Sequence, residues 1–281
     1  MTSVPNTPDA TYVMGHPKGE EQRLQRLGQL LYPSTRRLFE QAGITPGMKV
    51  LDVGSGAGDV ALLLAELVGP GGSVVGVELH APLLEVAQAR VKAAGLTNTS
   101  LLAGDIRSAA LERDFDAVVG RNVLMYVADP AAVLRVGVEH LRPGGIVAFQ
   151  EVEWSVSEQV ARLEAIPSLV KQAAAWVYGA FRQAGTEMQM SFKFPGAFLE
   201  AGLPSPALAL EGIVGTDPEW VGYDFLADAL RDILPRLREY GILHEDLEAN
   251  RYVEQVRAQI SQQRAFLPLF FAVGAWARKA A

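Results

Sequence analysis

The sequence predicts an α/β protein built on a doubly wound, mostly parallel sheet. From Gly47 to Phe149 short apolar runs alternate with helix-length segments, the order that lays parallel strands between crossover helices. The first apolar run, Lys49 to Val53, breaks into Gly54-Ser55-Gly56-Ala57-Gly58 and then directly into a helix rich in Ala, Leu and Val from Asp59 to Val68. Further on, Leu141-Arg142-Pro143-Gly144-Gly145 has the residues that stop one helix and start a strand.

The elements follow in order. Residues Met1 to Gly19 carry Pro5, Pro8 and Pro17 among small polar residues and form an irregular arm. From Glu20 to Gly43, Leu24, Leu27, Leu30, Leu31, Leu38 and Phe39 recur at helical spacing, and Pro33 divides them into two short helices. Strands are then expected to Val53, to Val77, over Thr99 to Ala103, Phe115 to Val119 and Ile146 to Glu151, with helices from Asp59 to Val68, Pro82 to Ala94 and Pro130 to His140. Beyond Glu151 the pattern gives a helix from Val160 to Ala184, a segment starting near Phe198, and a strand from Pro206 to Val214. Helices over Asp217 to Tyr240 and Glu245 to Ala265 follow, then a last strand from Leu267 to Trp276. This organisation reads as an N-terminal arm and helical lid, 1–46, and a main domain, 47–281, with a helical insertion at about 217–265 that serves as a lid or a homodimer element.

Of 281 residues, 49% are apolar, enough for a large core, and the net charge is −7 without a run of Lys or Arg. That balance lacks the basic footprint of a nucleic-acid binder and favours a small-molecule substrate. With no cysteine there is neither a disulfide framework nor a thiolate metal site, and His16, His80, His140 and His244 lie too far apart in sequence to suggest a metal centre. No apolar run reaches the roughly 18 residues of a membrane span, so the expectation is a protein of the cytoplasm with no membrane partner.

The glycine loop carries the functional signal. Alternate glycines let the backbone turn sharply and approach a ligand closely, and the following helix points its free N–H groups at whatever the loop holds. Glu78 closes the next strand, 20 residues past Gly58, where two carboxylate oxygens can accept both hydroxyls of a ribose. A dinucleotide fingerprint would place its third glycine at residue 59, which is Asp. The pattern is Asp52-x-Gly54-x-Gly56-x-Gly58 instead, and it resembles the first motif of the class I S-adenosylmethionine-dependent methyltransferases. The Leu-x-Pro-Gly-Gly turn at Leu141 to Gly145 is similar to one common in that family.

The resemblance implies a seven-stranded sheet with an antiparallel pair at one edge, S-adenosyl-L-methionine as cofactor and a small-molecule acceptor. It assigns the cofactor to Asp52, Gly54, Ser55, Gly56 and Gly58, to Glu78 and Leu79, to Gly104, Asp105 and Ile106 at the adenine, and to Arg121 in the loop after the fourth strand. The arm resembles the head of bacterial small-molecule methyltransferases, in which Tyr12 and Arg23 would fold over the methionine end. Candidates near the reacting atoms are Tyr126, His16, and Glu153 with Glu151, two carboxylates that share one side of the fifth strand's end and face an acceptor, beside Trp154. Packing and capping roles stand beside these readings, as do a nicotinamide-dependent oxidoreductase and a non-catalytic cofactor-binding module.

Overall fold

A computed structural model of the chain describes residues 19–281. Seven strands form one sheet in the order β3-β2-β1-β4-β5-β7-β6. The parallel part comprises β1 (Lys49–Val53), β2 (Ser73–Glu78), β3 (Thr99–Ala103), β4 (Phe115–Arg121) and β5 (Leu141–Val152). Strand β7 (Leu267–Arg278) enters antiparallel between β5 and β6 (Ala207–Gly215), giving the expected antiparallel edge.

Alternation along the strands divides the interior in two. Val50, Ala117, Val119, Ile146 and Ala148 pack beneath α2 (Asp59–Val68) and α3 (Ala81–Ala93). Their neighbours Leu51, Val118, Val147 and Phe149 pack on the opposite face in the larger core. That core also takes residues of α4 (Pro130–His140), α5 (Trp154–Ala161), α6 (Ser168–Gln183), α7 (Met190–Glu200), α8 (Val221–Glu239) and α9 (Ala249–Gln263). Successive side chains of a strand point to opposite faces, so a sheet covered on both sides must be apolar at nearly every position.

Three expectations are corrected. Glu20–Ala42 is one helix, α1, with Pro33 inside it. Proline removes one backbone hydrogen bond, but Leu30 and Leu31 before it are buried in one core and Leu38 and Phe39 after it in the other, and that packing holds the helix together. The stretch from Val160 to Ala184 is instead the end of α5 and all of α6, because Pro167 caps the second helix and holds the chain extended just before it. Strand β5 starts at Leu141, through the Pro-Gly-Gly turn rather than after it. Helices α8 and α9 do lie between β6 and β7, and α8 packs on α1, α6 and α9.

Candidate active site

The carboxyl ends of β1, β2 and β4 open into a cavity of about 660 Å³. Open α/β sheets bind ligands in this crevice, where the strand order reverses. After β1 the chain turns through Gly54 and Gly56, at φ 66° and 52°, before Gly58 starts α2. A Cβ on Gly54 would lie 2.6 Å from Val123 Cγ2, whereas one on Gly56 would project into open space. Gly58, expected at the cofactor, does not line the cavity; its missing Cβ lets α2 approach Ala87 on α3.

Glu78 is held in place by the loop it faces. Its Oε2 accepts from the Gly56 amide and its Oε1 from the His80 amide, each at 2.7 Å. A carboxylate offers about four acceptor sites, so two such bonds orient the group and leave capacity for a ligand. Gly54, Ser55, Gly56, Glu78, Leu79, Gly104, Asp105, Ile106 and Arg121 all line the cavity, as the sequence reading expects. Asp105 pairs with Arg107 at 2.9 Å, which holds its carboxyl below the usual carboxylate range. Leu79 is exposed and Ile106 is buried.

Two ionisable groups, Arg121 and Asp52, are buried or half-buried near the loop. Arg121, half-buried at the end of β4, donates to Thr35 Oγ1 at 3.2 Å. Among the described residues no carboxylate lies within ion-pair distance of its guanidinium, and burial pulls its pKa down while Asp59 and Asp52 oppose that shift. Asp52 is fully buried, and among the described residues neither of its carboxyl oxygens has a hydrogen-bond partner. Burial pushes its pKa well above the ordinary range against the pull of Arg121. Asp52 does not line the cavity.

The far end of the cavity is aromatic. Trp154 from α5, Phe181 from α6, Phe225 from α8 and Phe270 from β7 close it, with Trp154 and Phe181 centroids 4.6 Å apart and Phe225 and Phe270 5.8 Å apart. Tyr126, in a 3-10 turn at Leu124–Tyr126, also lines the cavity. Arg23 lines the mouth from α1, buried in an ion pair with Asp232 of α8 at 2.8 Å. Arg26 and Asp228 form a second α1–α8 pair. Tyr12 and His16 lie outside the described residues.

The two carboxylates expected to face an acceptor do not line the cavity. Glu151 is buried and accepts from the backbone amides of Val123, Leu124 and Met125 at 3.0, 2.8 and 3.4 Å. It therefore clamps the turn that carries Tyr126, and burial pushes its pKa up to about 7. Glu153 caps α5, accepting from the Ser155 amide at 3.2 Å and from the hydroxyls of Ser155 and Ser191. The two acids share one side of the strand end as expected, but it is Val152 and Trp154 that line the cavity, while Glu151 accepts from backbone amides and Glu153 from amides and serine hydroxyls. Sequence reasoning missed Phe270 and Asp232, which come from distant segments with no motif to mark them.

Among the described residues no cluster could hold a metal ion, and no helix is long and apolar enough to cross a membrane. A family model described as a methyltransferase domain matches residues 44–194. The chain is similar to an arsenite methyltransferase of Aquipseudomonas alcaligenes, 38% identical over 38% of this chain and 33% of that protein. It is also similar to a nocamycin O-methyltransferase of Saccharothrix syringae, 36% identical over 42% of each. The matched region thus spans between a third and a half of those relatives. Among solved structures, the [4+2]-cyclase SpnF superposes with a TM-score of 0.55 at 16% identity, covering 98% of this chain and 99% of that one, a likeness of fold.

Proposed function

Because the chain belongs to the methyltransferase-domain family, we propose that it transfers a methyl group from S-adenosyl-L-methionine to a small neutral acceptor. The observation that carries this reading is the match between the unsatisfied groups of the cavity and the parts of that cofactor. Glu78 is oriented with acceptor capacity to spare for ribose hydroxyls, and the space a Cβ on Gly56 would fill is left clear for a close ligand. Among the described residues Arg121 has no carboxylate within ion-pair distance, and such a cation at the cavity suits the carboxylate of an amino-acid end. Asp105 and Ile106 would flank the adenine.

When bound, S-adenosyl-L-methionine supplies a methyl carbon already activated by its sulfonium. The chain's own task is then to align the acceptor behind that carbon and exclude water. Glu151 contributes by holding the 122–126 turn, and Trp154, Phe181, Phe225 and Phe270 by keeping the far end dry. Arsenite is disfavoured as acceptor, because a soft trivalent ion calls for thiolates and this chain has no cysteine. We read α1 and α8 as a lid over the mouth, joined by the Arg23–Asp232 pair, and the protein as working in the cytoplasm on a free metabolite.

The test is incubation with methyl-labelled cofactor and a panel of phenols, indoles, amines and carboxylic acids. Label should enter one uncharged class and be lost with Glu78→Ala. Reduction of a carbonyl panel with a nicotinamide cofactor, and no methyl transfer, would replace this reading with the oxidoreductase.

A further inference from the structure

Behind the aromatic end lies a second, smaller hollow of about 50 Å³, which shares Trp154, Phe181, Phe225 and Phe270 with the main cavity. These four rings are therefore a partition with space on both sides. Trp154 sits tilted at 31° on Phe181, and Phe270 meets both Trp154 and Phe225 edge-on, at 63° and 73°. Aromatic rings favour offset and edge contacts, so a further ring can join the cluster in the same geometry.

The hollow's walls carry no Asp, Glu, Lys, Arg or His among the described residues. Two of its wall positions, Ala173 on α6 and Ala229 on α8, are fully buried and small. Larger residues at either would fill the space, so the sequence leaves it unfilled at two independent positions. One water-sized site needs about 10–15 Å³, which makes the hollow a fit for a branch of about three heavy atoms. An ionised group would find no counter-charge among the described residues there, only the neutral Trp154 Nε1–H and Tyr178 hydroxyl on the lining side chains, and a buried charge without a counter-charge is costly.

We propose that the methyl acceptor is a neutral, ring-bearing molecule that seats its ring among Trp154, Phe181, Phe225 and Phe270 and runs a short alkyl branch into the hollow, whose depth Ala173 and Ala229 set. The proposal rests on the methyl-transfer reading for what happens at the other end of the ring. The ring's apolar body and the branch supply affinity, while Ala173 and Ala229 act as specificity determinants away from the reacting atoms.

The test is calorimetry on the intact protein saturated with S-adenosylhomocysteine, using 4-methyl-, 4-ethyl-, 4-propyl- and 4-hexylphenol as probes. Each methylene from methyl to propyl is expected to tighten binding about fourfold, the usual yield of a buried CH₂, with no further gain at hexyl. The matching 4-alkylbenzoates and 4-alkylbenzylamines are expected to bind at least about tenfold more weakly. In Ala229→Leu the chain-length gain should vanish while S-adenosylhomocysteine affinity stays within about twofold; Ala173→Val serves if that variant does not fold. A flat chain-length series, equal binding of the charged analogues, or no binding of any phenol overturns the proposal and leaves the methyl-transfer reading intact. If S-adenosylhomocysteine itself does not bind, the methyl-transfer reading fails, and the phenol series on the unliganded protein still decides whether the hollow is a branch site.

Discussion

The two ends of the cavity are built by different means. The end under the glycine loop is made by backbone: strand ends deliver Gly54, Glu78, Asp105 and Arg121 to one crevice, and amides of Gly56 and His80 fix the Glu78 carboxylate. The aromatic end is made by side chains from α5, α6, α8 and β7, segments that lie far apart in sequence and meet only through packing. A backbone-built site is constrained at each position by geometry and leaves a motif. A packed site can be refilled by many combinations of apolar residues, which is where one fold can change its acceptor while keeping its cofactor.

That contrast can be broken first at the seam. The buried Arg23–Asp232 pair ties α1, next to the loop end, to α8, which carries Phe225. Breaking a buried pair by removing one partner costs about 3–5 kcal/mol, so Asp232→Ala should lower the unfolding free energy by about that amount in a denaturant titration. If the two ends are separately supported, the variant's residual S-adenosylhomocysteine affinity in the folded state should change less than its affinity for 4-propylphenol.

Glu151 sharpens the comparison, since it belongs to the packed interior yet holds the backbone turn of the other end. A buried acid with a raised pKa keeps its proton in the folded state at pH values where the unfolded chain has lost it. The stability this supplies is complete below about 4.5 and is lost as pH rises to about 7. Between those limits the wild type should lose about 3 kcal/mol more than Glu151→Gln, read as the change in unfolding free energy with pH. Parallel curves for the two proteins would show that the carboxyl titrates normally.

Legibility followed the same division. The places of Gly54, Gly56 and Glu78 at the cavity could be read because a tight turn and a carboxylate at a strand end each sit at a fixed spacing, and the strand-helix alternation located them. Glu151 and Glu153 were misplaced because period-two alternation says which residues share a side but not which side faces the cavity. Pro33 misled for a related reason: local helix-breaking chemistry was outweighed by Leu30, Leu31, Leu38 and Phe39, whose burial is a property of the whole fold. Phe270 and Asp232 had no local signal at all.

The smallest expected effect separates the amino-acid end of the cofactor from its nucleoside end. Arg121→Met should weaken S-adenosylhomocysteine binding about tenfold, within the range of a charge-assisted hydrogen bond. It should leave 5′-methylthioadenosine, which lacks the carboxylate, within about twofold. Removing a cation that has no ion-pair partner among the described residues should also leave the unliganded protein as stable as before, or more so. Equal losses for both ligands would place the guanidinium elsewhere.

The central claim, that the backbone-built end holds S-adenosylmethionine, is tested most directly by titrating the wild type and Glu78→Ala with S-adenosylhomocysteine and with NAD in a calorimeter. The account predicts binding of S-adenosylhomocysteine to the wild type, about 100-fold weaker in Glu78→Ala because two charge-assisted hydrogen bonds to the ribose are lost, and no heat with NAD. Binding of NAD, or S-adenosylhomocysteine affinity unchanged by Glu78→Ala, would contradict it.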